Sequence, residues 1–266
     1  MCYDTDMCSM FQELGLTNPF GAPVFQRETV SSTMDIAREL AAAGEPHGTV
    51  ITADFQTAGR GRIGRAWHSE GRGNLFFTIL LRYASIPAAL SLKAGLAISW
   101  AIEDFLRSRD PALAEALRVK WPNDIMLGSR KTAGILVEGD GGLGYIGVGV
   151  NVAQKTFPEA LRKKAVSLAL VCETVSAEDR FLLLEKILAG LFKILNSCEA
   201  WREDLRERLY MRNQRVRFIP GGTDSTASVE GILQGLGPQG ELLLLPLGRD
   251  EPVSFVTGEL DVYEKS

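Results

Sequence analysis

Histidine and cysteine are scarce in this chain of 266 residues, and each shortage closes off a class of chemistry. The two histidines, His47 and His68, are too few for a His-rich metal site, and a catalytic histidine would have to be one of them. The four cysteines (Cys2, Cys8, Cys172 and Cys198) form no C-x-x-C pair and no zinc spacing. Scattered thiols of this kind belong to reducing compartments. Long apolar runs are missing too. The longest that suits a helix, Ala94 to Ile102, falls well short of the ~20 residues that span a bilayer. The opening MCYDTDMCSM carries acids where a secretory leader needs Lys or Arg, so a soluble, cytoplasmic protein is expected. Positive charge is not in excess: 29 Lys and Arg face 33 Asp and Glu, a net −4, which argues against a coat for nucleic acid or an anionic membrane. What remains is ordinary globular material, 45% hydrophobic and 23% charged, enough to bury a core. At roughly 150 residues per domain the length suggests one to two domains.

Residues 1–22 lack clear periodicity and read as a lead-in segment. VFQRETV then reads as a strand, and Ser31-Ser32-Thr33 stands before the apolar-periodic MDIARELAAAG, where hydroxyls cap a helix and Gly44 stops it. TVITADF is a strand, Gln56 to Gly73 a Gly/Arg-rich loop, and NLFFTILLR a strand. A helix from about Pro87 to Arg107 places Leu92, Leu96 and Trp100 on one face. LRVKW, DIMLG, KTAGILVEG and LGYIGVGV read as four strands joined by tight turns. Two helices, about Ala177–Cys198 and Glu199–Arg212, close this unit. From Asn213 the texture changes to short strands between Gly/Pro turns: VRFI, ASVEGILQGLG, ELLLLPL and VSFVTGEL. Eight acids against three bases in residues 216–266 make that stretch a poor nucleic-acid clamp. The expected organisation is α+β: a lead-in over 1–22, a larger unit of strands and helices over 23–212, and a small β-barrel over 213–266.

The segment Gly59-Arg60-Gly61-Arg62-Ile63-Gly64-Arg65-Ala66-Trp67 contains a literal G-x-G-x-x-G. A dinucleotide fingerprint needs a helix immediately after the glycines, and here a loop and then a strand follow. From Gly59 to Gly73, five Gly and four Arg face one Glu. Three readings stay open on the loop alone. It is a solvated flexible loop, an RNA-gripping arginine strand, or a mobile anion-binding loop in which Gly supplies backbone freedom and Arg supplies forked donors.

A second constellation discriminates. Lys120-Trp121-Pro122-Asn123-Asp124 ends one strand, and Arg130-Lys131-Thr132-Ala133-Gly134-Ile135-Leu136 begins another across a tight turn, bringing Lys120 and Lys131 to a common site. Together with the arginine loop, Ser32-Thr33-Met34 and Gly147-Val148-Gly149-Val150-Asn151, the chain resembles the biotin–protein ligases from about residue 25 to its end. Met34 stands where that family often has Asn, and Thr57 where a second Gln is common. The helix-turn-helix of some bacterial members has no room ahead of residue 23, so the resemblance implies a ligase without repressor function.

The implied reaction joins biotin to ATP as biotinyl-5′-AMP, then passes biotin to a lysine of a biotin carboxyl carrier protein, with ATP and Mg²⁺ required. Anion meets anion in the first step, which calls for dense positive charge and Mg²⁺; the second needs the anhydride kept from water. The resemblance places Ser32, Thr33, Met34 and Gln56 at biotin, where hydroxyls and an amide satisfy both polarities of the ureido ring. Capping is an equally good account of Ser32, and one compatible with binding. Arg60, Gly61 and Arg62 would hold carboxylate and phosphate, with Arg65 and Trp67 closing the loop. Lys131 would contact the reacting carboxyl, Lys120 assist at phosphate, Gly134 permit close approach, and Asp124 and Asn151 serve the nucleotide side. Lys131, Arg62 and Lys120 are thus the catalytic candidates. Metal ligands and the role of His68 are left unassigned, and monomer and homodimer both stay open. The rivals are a lipoate–protein ligase, which would want an apolar pocket blind to a urea, and a nucleic-acid-binding module. No nucleic-acid or membrane partner is expected. Mutual repulsion of Arg60, Arg62 and Arg65 also predicts a loop that orders only when an anion arrives.

Overall fold

The computed structural model describes residues 11–68, 72–84, 87, 89–197, 200–221 and 227–261. Cys2, Cys8, Cys198 and three residues of the Gly/Arg loop lie outside that set. Strands β1 (Gln12–Glu13), β2 (Val24–Val30), β3 (Val50–Gln56), β4 (Leu75–Arg82), β5 (Leu117–Lys120), β6 (Asp124–Leu127), β7 (Arg130–Asp140) and β8 (Leu143–Val150) form one sheet in the order β1-β2-β3-β4-β8-β7-β6-β5. Every neighbouring pair is antiparallel except β2–β3, which run parallel. Parallel strands need a crossover, and α1 (Thr33–Ala42) supplies it. Ser32 caps α1, its Oγ accepting from the Met34 N–H at 3.3 Å, and Gly44 at φ 91° ends the turn beyond it. The lead-in is not separate from this sheet. Its β1 pairs with β2 and makes an edge.

The sheet's two faces are covered differently. Val50, Leu75, Phe77, Ile79 and Leu81 point to one side, where α2 (Leu90–Arg107) and α5 (Asp179–Ser197) bury Leu92, Leu96, Ile98, Leu184 and Leu188 against them. On the other side Ile51, Ala53, Leu80 and Tyr145 meet Met34, Ile36 and Leu40 of α1. Because α1 covers only part of that second face, the rest of it is left for the groove described below. The run LFFTILLR in β4 is apolar at six of its eight positions because seven of them are buried, Thr78 among these.

Boundaries depart from the sequence reading where local geometry intervenes. Helix α2 begins at Leu90, not Pro87, behind Ala89 in the left-handed region at φ 57°. A short helix α3 (Pro111–Glu115), not anticipated, is nucleated by Asp110, whose carboxylate accepts from the Ala112 and Leu113 N–H groups. Another, α4 (Glu159–Arg162), follows β8. The last helix, α6, is confined to Trp201–Arg208.

Beyond it, β9 (Arg215–Pro220), β10 (Val229–Leu236), β11 (Leu242–Pro246), β12 (Val253–Phe255) and β13 (Gly258–Asp261) form a second antiparallel sheet, ordered β12-β11-β10-β9-β13. VSFVTGEL is therefore two strands, not one. It breaks at the exposed Val256 and turns at Gly258 (φ 144°), so that its halves pair with β11 and β9. Trp121 clamps the two sheets together. It is 2% exposed, its ring meets Phe218 at 5.9 Å between centroids, and its Nε1–H donates to the Gly240 carbonyl at 3.0 Å. Among the described residues no helix is long and apolar enough to cross a membrane.

Trp121→Phe keeps most of the apolar contact but leaves the Gly240 carbonyl without its donor. A loss of about 1–3 kcal/mol is expected, read as a lower denaturation midpoint.

Candidate active site

A groove of about 1190 Å³ opens on the part of the large sheet that α1 leaves bare. Its floor is set by register. Lys120, Asp124, Gly134 and Gly149 stand opposite one another across β5, β6, β7 and β8. Gly147 lies two residues from Gly149, hence on the same face. Ile146, Val148 and Val150 alternate with these glycines and point into the helix-covered core.

Bareness at these positions is used. A methyl on Gly149 would come within 2.6–3.0 Å of the Trp67 indole, and one on Gly134 within 2.6 Å of that ring and 2.8 Å of Lys131 Nζ. One on Gly147 would sit 2.8 Å from the Met34 sulfur. The Trp67 Nε1–H is buried with no acceptor, so it is a donor left for an occupant of the groove.

At one end, Thr33 and Gln56 form a polar pocket. The Gln56 Oε1 accepts from the Thr33 N–H at 2.9 Å and from the Thr33 hydroxyl at 3.2 Å. With both donors on its oxygen, the amide turns its NH₂ away, toward Gly59. Ser32 is 1% exposed and engaged as the α1 cap, so it does not line the groove.

At the centre the charges gather. Lys131 Nζ is 2.6 Å from Asp124 Oδ1 and 5.0 Å above the Trp67 ring centre. Burial lowers the Lys120 pKa from the usual lysine value, opposed in part by Asp124. Burial likewise lowers that of Arg62, against the pull of Glu259 and Asp124. Arginine stays charged regardless.

The loop arginines each meet a protein partner, although Arg65 still acts against the charge on Arg62 as expected. Arg60 pairs with Asp35 at 2.6 Å, Arg62 donates to the Asn123 side-chain oxygen at 3.2 Å, and Arg65 makes two 2.5 Å contacts with Glu259. Each partner sits on a different element, and the sequence spacing gave no sign of any of them. The described part of the loop is folded over the groove, with Trp67 as its inner anchor.

The structure thus brings to one groove Thr33, Met34, Gln56, Arg60, Gly61, Arg62, Arg65, Trp67, Lys120, Asp124, Lys131, Gly134 and Asn151, all expected from the sequence, together with the unassigned His68. Of the expected set only Ser32 stands behind the wall. Groups the sequence did not flag also line it. Phe157 and Leu161 form an apolar flank, Lys163 and Lys164 lie beside it, and Glu259, Leu260 and Asp261 arrive from β13 of the small sheet. Asn151 is mostly turned inward, its Nδ2 donating to the Val166 carbonyl at 3.3 Å and so holding the segment that carries the apolar flank.

Comparison with known proteins agrees with this geometry. The Biotin/lipoate A/B protein ligase family matches residues 26–151. The biotin–[acetyl-CoA-carboxylase] ligase of Mycobacterium tuberculosis is 34% identical over 239 residues, covering 85% of this chain and 84% of that protein. The biotin protein ligase of Aquifex aeolicus, solved with biotin and ATP, superposes with a TM-score of 0.75 at 27% identity, over 90% of this chain and 98% of the other. The Leishmania major biotin protein ligase, solved with biotinyl-5-AMP, gives 0.60 at 28% identity, over 87% and 98%.

Gly149→Ala should unseat Trp67, whereas Gly144→Ala, whose nearest neighbours would lie at 3.7 Å, should not. Amide exchange over residues 59–68 is expected to quicken in the first variant alone.

Proposed function

This chain belongs to the biotin–protein ligase family, and from that premise we propose how its own residues carry the reaction. It is an ATP-dependent ligase that activates biotin as biotinyl-5′-AMP and passes it to a lysine of a carboxylase's carrier protein. The observation that carries the assignment of roles is the glycine floor. It runs from a pocket of donors and acceptors at Thr33 and Gln56 to the cations Lys120, Lys131 and Arg62, leaving room for the Met34 and Trp67 side chains to lie directly over it.

In this reading the ureido ring lies at the Thr33 end. Its carbonyl accepts from the Gln56 NH₂, and a ring N–H donates to the Thr33 hydroxyl oxygen. The thiophane ring rests on Gly147 beside Met34, and the acid-bearing tail follows β8 to Gly149, about 7 Å along the strand. The carboxylate then reaches Lys131. An oxygen of that carboxylate attacks the α-phosphorus of ATP and pyrophosphate leaves. Lys131, Lys120 and Arg62 offset the charge that builds on the carboxyl and phosphoryl oxygens. The base has room beside Phe157 and Leu161, with Asn151 buttressing that flank. Arg60 and Arg65 hold the loop shut, and Trp67 keeps water from the anhydride. In the second step the carrier's lysine nitrogen attacks the acyl carbon, Lys131 stabilises the carbonyl oxygen, and AMP departs.

Asp124 is committed to Lys131 and Glu259 to Arg65, and among the described residues no three His, Cys, Asp or Glu side chains surround a possible ion. That donor set suits Mg²⁺, which is commonly held through substrate phosphates with one or two carboxylates, here Asp124 or Asp261. Bound there, it would neutralise phosphate charge. We further read the five-stranded C-terminal sheet as a small SH3-like barrel over 213–266. The change of sheet after α6 supports a catalytic domain ending near 212, and β1 of the lead-in extends that domain ahead of residue 23.

Lys131→Ala removes the cation nearest the reacting carboxyl. Pyrophosphate release should fall by a hundredfold or more, corresponding to about 3 kcal/mol or more, with the fold intact by circular dichroism. Wild-type release would make Lys131 merely a strand-edge lysine.

Lys120 is a cation only below its lowered pKa, so its help at phosphate is lost as pH rises through that value, sooner than for an exposed lysine. Adenylation should therefore decline early on the alkaline side. Lys120→Arg, permanently charged, should abolish that early decline in a pH series of pyrophosphate release.

A further inference from the structure

Behind the polar pocket stands a residue that nothing above has used. Thr78, in the middle of β4, is 0% exposed and does not line the groove. Its neighbours in register are Ile51 on β3 and Gly147 on β8, a setting in which valine would fill the same space. A hydroxyl buried there needs a partner. Its partner is the Thr33 hydroxyl oxygen, to which the Thr78 O–H donates at 2.9 Å.

A hydroxyl has one proton and two lone pairs. Thr33 receives the Thr78 proton on one lone pair and directs its own proton to Gln56 Oε1. One lone pair remains. Thr33 therefore shows the groove an acceptor, and Gln56, its oxygen already taken by two Thr33 donors, shows its NH₂. Without the Thr78 proton, the Thr33 hydroxyl would keep its long 3.2 Å bond to Gln56 Oε1 as its hold and would more readily turn its own hydrogen toward a ring N–H.

We propose that Thr78 is a positioning residue for substrate recognition: through the Thr78–Thr33–Gln56 chain it fixes Thr33 as an acceptor and Gln56 as a donor toward a cyclic urea. This rests on the ligase reading and adds to it a residue that acts only through another. It also commits the pocket to one polarity, N–H toward Thr33 and C=O toward Gln56.

The test exploits the opposing demands of packing and hydrogen bonding. Thr78→Val keeps the volume and loses the proton; Thr78→Ser keeps the proton and loses a methyl group. Pyrophosphate release is followed against biotin concentration for wild type and both variants, with melting temperature measured in parallel. A thiophane pentanoic acid lacking the urea is titrated as a competitive inhibitor. Positioning predicts that Val raises the biotin KM about tenfold, the scale of one net hydrogen bond, with kcat within about twofold. Ser should stay near wild type, and the urea-free acid should bind all three alike. A purely structural Thr78 predicts the reverse order, with Ser worse than Val, or an equal loss for the urea-free acid; either result overturns the proposal. If the Val variant does not fold, Thr78→Ala against Thr78→Ser isolates the same hydroxyl. A wild-type protein that releases no pyrophosphate on addition of biotin would overturn the ligase reading itself, a failure distinct from any ranking of the variants.

Discussion

Everything at the site depends on one stretch of sheet having no side chains on one face. Gly134, Gly147 and Gly149 leave a trough along β7 and β8 that Trp67, Met34 and Lys131 approach to distances a Cβ would forbid. The requirement is one of space. On the opposite face the same two strands contribute Ala133, Ile135, Ile146, Val148 and Val150 to the main core. Strand alternation thus lets the same two strands anchor the helices on one side and line the groove on the other.

The division of the faces also explains why the chemistry is gathered from so many parts of the chain. Helix α1 enters by its N-terminus beside the trough and delivers Thr33 and Met34. The β5–β6 turn delivers Lys120 and Asp124, and the loop after β3 delivers the arginines and Trp67. The small sheet is held against this end by Trp121, and that contact brings Glu259 and Asp261 to the rim. Trp121 and Pro122 sit between the groove residues Lys120 and Asp124, yet the indole faces away and works as the joint between sheets. Loosening that joint would displace the partner of Arg65 as well as the small sheet.

Much of this was legible in the residues. Strand β8 was readable to the residue because its Gly/apolar alternation has a period of two. Helices α2 and α5 were readable because their apolar positions recur at helical spacing, though Ala89 moved the start of α2 by a conformation that no pattern signals. The site residues carried by motifs were legible as types in order. What was not legible depends on meetings between distant segments. Glu259 looks like any acid near a chain end, and Phe157 and Leu161 look like core residues of a short helix. Thr78 sits in an apolar run where threonine passes for a valine substitute. Ser32 carries a structural use the motif did not separate out: its oxygen caps α1, a role compatible with the ligand contact that the motif implies.

The arginine loop divides its charges between two kinds of partner. Arg60 and Arg65 have side chains 41% and 50% exposed, so their bonds to Asp35 and Glu259 fall in the range of surface ion pairs, about 0.2–1 kcal/mol each. Such contacts orient a glycine-rich loop without locking it. A phosphate or carboxylate beneath the loop would meet Arg62, partly buried and tied only to a neutral amide, in a less polar setting where charge-assisted bonds are stronger. The strongest anion-holding capacity is therefore left with the arginine nearest the reacting centre. The two outer arginines use protein carboxylates to hold the loop over the groove.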